Sequence, residues 1–222
     1  YRFHLLKSII FFDIIVQRLF MKKKLLISLI AFLIFLIVGL LTNSHYGISW
    51  DEQTHFKRGQ AYIRYFLTGK SNYYGLPEYN LERARKDKNY HERSLYQDNA
   101  FDLDYYLTDN HDWGHPPLNS IIAALFNFTF YQKLGFVGDI ESFHLFNIFV
   151  SAILVGVVVL FAAESFGIWA GIFSGIFLFT YPLFFAESHF NIKDPAESAF
   201  FTLTLYLIWK GLKQKKGIFI IF

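Results

Sequence analysis

The sequence has no cysteine, a single methionine and no strong excess of either charge sign. Without cysteine there are no disulfides, no thiolate metal sites and no cysteine nucleophile, while the compartment stays open. With 21 Lys and Arg against 18 Asp and Glu the net charge is only +3. Basic residues therefore matter by position rather than by sum, and a nucleic-acid partner has no support. The methionine, Met21, precedes Lys22, Lys23, Lys24 and an apolar run, as at the start of many bacterial inner-membrane proteins. Residues 1–20 are accordingly expected to be a doubtful N-terminal extension, and 217–222 the start of a truncated transmembrane helix.

Apolar residues, by contrast, are in excess: 54% of the 222 residues are hydrophobic and 21% aromatic, more than one soluble core of this size needs. A bilayer is the matching solvent, and the expected fold is an all-α membrane protein, a polytopic transmembrane helix bundle. Leu25 to Leu41 is an unbroken apolar run of 17 residues, about 25 Å as a helix. No small-residue cleavage site follows it, so an uncleaved helix is expected, its lysines cytoplasmic. Residues 42–143 begin with a long polar stretch that cannot sit in lipid. Four more apolar stretches follow: Leu118 to Gly135, His144 to Ala163, Ile168 to Phe185 and Ala196 to Trp209.

The lysine clusters at 22–24 and 210–216 belong on one membrane face, so the crossings between them must be even in number. Five apolar stretches give an odd count, and Leu118 to Gly135, with Asn119, Asn127, Gln132 and Lys133, is the weakest. It is expected to lie along the interface. Module 21–216 then has an outer loop at 42–143 carrying juxtamembrane helices and a second outer loop at 186–195. This order puts Asp51, Glu52 and Asp194 on the outer face, and a label introduced at Ser188 should react from outside.

Three short segments carry groups capable of chemistry. Gly47-Ile48-Ser49-Trp50-Asp51-Glu52 sets two carboxylates beside an aromatic residue at the water boundary. A carboxylate there can accept the proton of an attacking hydroxyl; the plainer alternative is a pair of acids at the N-terminus of a helix beginning near Gln53. In His115-Pro116-Pro117-Leu118 the prolines fix the start of the next helix and hold His115 at a bend, either as a pocket wall or as a solvated side chain. Glu187 to Pro195 packs Glu187, His189, Lys193 and Asp194 between two apolar segments, with Glu197 one turn on. Charges so near hydrocarbon are costly. Lys193 is a candidate for a phosphate and Asp194 for an acceptor or a cation, against a snorkelling lysine and a helix cap.

In their order, Asp51-Glu52, His115 to Leu118 and Asp194-Pro195 resemble the GT-C membrane glycosyltransferases, specifically the dolichyl-phosphate-mannose protein mannosyltransferase and aminoarabinose lipid A transferase group. The resemblance covers about 45–216. It implies inverting transfer from a dolichyl- or undecaprenyl-phosphate sugar to a hydroxyl or phosphate acceptor on protein, lipid or glycan at the outer face of a bacterial plasma membrane. Asp51 is the implied base, Glu52 assists, and Asp194 shapes the donor or acceptor site. Lys57, Arg58, Arg64 and Lys193 are candidates for the phosphate, with His115 and His189 as further substrate contacts. Trp50, Tyr62, Tyr65 and Trp113 are either sugar-stacking residues or interfacial belt residues. No cofactor is implied with certainty; a divalent metal serves some members of the superfamily and not others. The alternatives are a transporter or flippase-type subunit, whose charges should sit at mid-membrane depth, and a non-catalytic assembly or polymer-export protein.

Overall fold

The computed structural model describes residues 2–80, 82, 93–108 and 115–215, with the side chains of 2–20 outside the description. Trp113 and residues 217–222 lie outside the described residues. All the regular structure described is helical. In chain order the helices are α1 (Arg2–Thr42), α2 (Glu52–Thr68), α3 (Leu103–Leu107), α4 (Leu118–Phe126), α5 (Asp139–Phe166), α6 (Ile168–Thr180), α7 (Pro182–Phe190) and α8 (Asp194–Gln214). Two described segments are long and apolar enough to cross a membrane, Met21–His45 and Asp139–Phe166. The bent pair α6 and α7 makes a third if it is counted as one span.

Three boundaries differ from expectation. The stretch Ile168 to Phe185 is not one straight helix: it breaks at Tyr181, and α6 and α7 meet at 66°. Pro182 is the cause, since it has no N–H to continue the ladder and forces the preceding residue into the extended region, where Tyr181 sits at φ −76°, ψ 107°. The expected outer loop 186–195 is largely helical, because α7 continues to Phe190 and α8 begins at Asp194. Helix α5 starts at Asp139, ahead of the apolar run, with Asp139 and Glu141 in its first turn, where acids are favoured by the helix dipole. Leu118 to Lys133 is a nine-residue α-helix followed by a seven-residue π-helical segment from Asn127, too short to rank among the candidate spans. Helix α8 is long enough for a span but falls short of one in apolar composition.

The contacts divide the chain into two units. One comprises 1–37, 152–185 and 198–222. Its core is Phe35, Ala152, Val155 and Val159, with Phe179, Phe184 and Phe185 around the Phe35 ring at centroid distances of 5.8, 5.5 and 5.8 Å. Gly171 and Gly175, one turn apart on α6, let that helix close on α5: a Cβ on Gly171 would lie 2.8 Å from the Val159 carbonyl oxygen. Small residues at helical spacing are how apolar helices approach where lipid supplies no hydrophobic drive. Polar contacts here are few; the Ser28 hydroxyl donates to the Gly156 carbonyl at 2.7 Å, and Glu164 accepts from Lys210 and Tyr206, both at 3.1 Å.

The second unit comprises 38–151 and 186–197. Here α2 lies on α4 so closely that a Cβ at Gly59 would stand 2.0 Å from the Ser120 carbonyl oxygen. Next to that contact runs a buried amide network. Asn127 accepts from Gln60 and Gln132, each at 2.7 Å, and donates to the Asp139 carboxylate and the Ser142 hydroxyl, also at 2.7 Å. Asp139 in turn accepts from the Ser94 hydroxyl and the Leu95 N–H, which fixes residues 94–95 to the start of α5. Phe56 of α2 stacks on Phe143 of α5 at 4.0 Å and 13°.

Candidate acid pocket at the start of helix α2

The site begins with the turn that enters α2. Asp51 is the N-cap of α2, and across the turn before it the Ser49 N–H donates to Oε2 of Glu52, the first helical residue, at 2.7 Å. The Ser49 hydroxyl donates to the Phe190 carbonyl at 3.4 Å, bringing the end of α7 to the start of α2. Glu52 is 1% exposed, and its Oε1 lies 3.0 Å from Nε2 of the fully buried His144. That contact is off hydrogen-bond alignment, and His144 Nδ1 has no partner among the described residues. Burial pushes the Glu52 carboxyl above its ordinary range, opposed by His144 and the Ser49 N–H.

Asp51 is differently placed. Its side chain is 70% exposed, makes no capping hydrogen bond and lies 3.9 Å from Lys193 Nζ. The opposite wall comes from the α7–α8 junction. Asn191 Oδ1 accepts from the N–H groups of Lys193 and Asp194 at 3.0 and 3.1 Å, so the side chain that takes up the free N–H groups at the entry to α8 is Asn191 rather than Asp194. The Asn191 amide donates to Asp194 at 2.9 Å and to Glu187 at 2.5 Å, holding both carboxylates on one side.

A cavity of about 270 Å³ lies between these walls, lined by Ser49 to Glu52 with His55 on one side and by Glu187, Phe190 and Asn191 to Asp194 on the other. Asp51 and Asp194, 143 residues apart in sequence, face the same space. Among the described residues Lys193 is the sole lysine or arginine in its lining, against four carboxyls. Such a site suits a proton in transit and developing positive charge better than an anion held by charge alone. Among the described residues no cluster of three or more His, Asp or Glu is arranged to hold a metal ion. Glu187 and Asp194 converge on the Asn191 amide, not on a third carboxylate or an imidazole.

His55 belongs to this wall and was missed in the sequence. It is buried, and its Nδ1 lies 3.1 Å from Arg58 Nη1 and 3.2 Å from the Ser120 hydroxyl. Arginine can only donate, so Nδ1 is the acceptor and the proton of the neutral ring is on Nε2. Burial, then the Arg58 and Lys193 charges, lower the His55 pKa to about 4. The i, i+3 pair His55 and Arg58 on an amphipathic helix was the available signal.

The other anticipated contacts are elsewhere. Arg58 is buried, engaged by His55 and with its guanidinium 5.8 Å from the centre of the Tyr106 ring. Arg64 Nε donates to the Asn72 carbonyl and closes the turn after α2. His189 is fully buried, its Nε2 3.0 Å from the Thr42 hydroxyl and its ring 3.9 Å from Tyr46, which makes it part of the packing under the pocket. His115 is exposed, 6.4 Å from His55 ring to ring, and outside the lining. Lys57 fronts a different cavity. Ser188 is fully buried, so it is a poor place for the accessibility label.

No protein-family model, no curated protein and no solved structure matches this chain.

Proposed function

We propose that this protein is a multi-pass membrane glycosyltransferase of the GT-C type that transfers a sugar from a polyprenyl-phosphate donor to a hydroxyl acceptor at the outer membrane face. The observation that supports this reading most directly is the shared cavity: Asp51, at the entrance to α2, and Asp194, at the start of α8, line one water-facing space with Lys193 beside Asp51.

The chemistry follows from the group positions. The acceptor hydroxyl attacks the anomeric carbon of the donor; its oxygen forms the new glycosidic bond as the bond from that carbon to the phosphate oxygen breaks. The acceptor proton passes to the exposed Asp51 carboxylate, and the bonding pair leaves with the lipid phosphate. Lys193, 3.9 Å from Asp51 and on a flexible stem, meets the charge gathering on that phosphate. Asp194, held by Asn191, offsets the positive character of the sugar ring in the transition state. Glu52 is committed to the Ser49 N–H and to His144 below the surface, so its part is to hold the turn that presents Asp51.

Sugar transfer from a radiolabelled polyprenyl-phosphate sugar by membranes carrying the protein tests the reading. Asp51→Asn should lower transfer by about 100-fold or more, the usual weight of a general base, with membrane insertion unchanged. Unchanged transfer would remove Asp51 from the mechanism. Lys193→Met should chiefly raise the donor KM.

A further inference from the structure

Helix α2 fronts two cavities, and only one of them holds the acids. Residues 51, 52 and 55 face the pocket described above, whereas Trp50, Gln53, Thr54 and Lys57, at helical spacing on the adjacent stripe, face a second cavity of about 280 Å³. Its far wall is aromatic: Phe101, Tyr105 and Tyr106. Trp50 lines both cavities and is 93% exposed.

We propose that this second cavity is a binding site for a neutral saccharide ring, the acceptor's sugar, seated against Trp50 and the aromatic wall and hydrogen-bonded by Gln53 and Thr54. Assigning the bound ring to an acceptor rests on the transferase reading; the binding itself does not.

Three features point to a neutral polyhydroxyl ligand. The Lys57 ammonium stands 3.7 Å over the Phe101 ring and 3.9 Å from Asp98, so the cation at this wall is already balanced and a phosphate gains little there. Gln53 and Thr54 make no side-chain hydrogen bond among the described residues, which leaves an amide and a hydroxyl, each both donor and acceptor, for ring hydroxyls. Aromatic faces supply apolar contact for the C–H face of a sugar while edge groups satisfy its hydroxyls, the usual division of labour in a small-molecule site. Because Trp50 and Asp51 are sequence neighbours at the entrance to α2, a ring held on Trp50 keeps its hydroxyls beside the carboxylate that takes the proton.

Saturable binding of free glucose, galactose, mannose and N-acetylglucosamine to the detergent-solubilised protein, read by ligand-observed NMR, tests the site without any need for transfer. At least one of the four should bind with a dissociation constant of roughly 1 mM, ordinary for a single small ring. Trp50→Ala should weaken it at least tenfold and Gln53→Ala about threefold. Both side chains are exposed, so neither variant removes packing on which folding depends. Displacement of the sugar by inorganic phosphate, equal binding by Trp50→Ala, or no saturable binding of any of the four would overturn the proposal. Binding that depends on Trp50 in a protein that never transfers sugar would uphold this site and sink the transferase reading instead.

Discussion

The two units of this chain are held together by opposite means. In the unit built from 1–37, 152–185 and 198–222, phenylalanines surround Phe35 and glycines let α6 close on α5, with few polar contacts. In the unit built from 38–151 and 186–197, the buried groups include Glu52, His55, Arg58, Gln60, Asn127 and His144, and hydrogen bonds hold the elements in register. Apolar contacts are tolerant of small displacements, whereas a buried polar group must meet its partner or bear the full desolvation cost. The polar unit is therefore the more sharply specified, and the acid pocket is in it. Its pocket-facing groups Trp50, Asp51 and Asp194 stay exposed and contribute little to that specification.

The same substitution in both units puts the contrast to its hardest test. Gly59→Ala would place a Cβ 2.0 Å from the backbone oxygen of Ser120, which cannot move without shifting α4 and the amide network beside it. A loss of about 3 kcal/mol or more is expected, at or above the usual range for overpacking. Gly175→Ala meets a Val159 methyl at 2.8 Å, the end of a side chain, with the Ala31 Cβ at an ordinary 4.0 Å, and should cost about 1 kcal/mol. Thermal unfolding of the detergent-solubilised variants compares them, and equal losses would abolish the distinction between the units.

Glu52 offers a finer cut, because its two oxygens have separate tasks. Glu52→Ala strips the acceptor from the Ser49 N–H and leaves His144 facing a void, at about 2 kcal/mol. Glu52→Gln keeps the acceptor for Ser49. If Glu52 positions the turn, the glutamine variant retains sugar transfer within about tenfold of wild type and the alanine variant falls much further. Equal, deep losses from both would make Glu52 a participant in proton transfer.

Acid should then act on the polar unit through His55. Its folded pKa, about 4, is below the ordinary histidine value of 6.5, so the unfolded chain takes up a proton first as pH falls. The stabilisation is whole above about 6.5 and is lost progressively down to about 4. Glu52, shifted upward, contributes in the opposite sense, its stabilisation fading as pH rises. His55→Gln isolates the first effect: the fall in unfolding temperature between about pH 6.5 and about pH 4 should shrink, and an unaltered slope would rule out His55 as its source.

Much of this architecture was legible in the sequence, for reasons specific to each segment. Apolar length marked α1 and α5 and the two prolines marked the start of α4, whereas the even count of crossings that set Leu118 to Gly135 aside also needs α8 to cross, and α8 is not among the candidate spans. The joint presence of residues 51 and 194 at one cavity was expected from that same parity. The break at Tyr181 was written in Pro182, and an acid three residues after Ser49 announced the turn contact, but both are local signals easily lost beside a strong hydropathy pattern. Which charges are buried was not legible. Arg58 and His189 look like surface groups in sequence, and only the packing of α2 on α4 and of the α7 end beneath the pocket takes them out of water. Lys57 and Arg58, adjacent in sequence, end in different surroundings because one helical step is a rotation of about 100°.

The mildest perturbation bears on the side of the membrane the pocket faces. Trp50 is 93% exposed and the protein has no native cysteine, so Trp50→Cys places a lone thiol at the pocket mouth with almost no expected change in stability. Ser188, fully buried beneath that mouth, would give a slow reaction whichever side it faced. In intact cells an impermeant maleimide should label the introduced thiol at the rate seen after lysis if the proposed orientation holds, with Lys22 to Lys24 on the cytoplasmic side and the far end of that apolar segment, at His45, a few residues before the turn. Labelling that appears only after lysis would put Asp51 on the cytoplasmic side. A donor presented at the outer leaflet would then be out of its reach, whatever the pocket looks like.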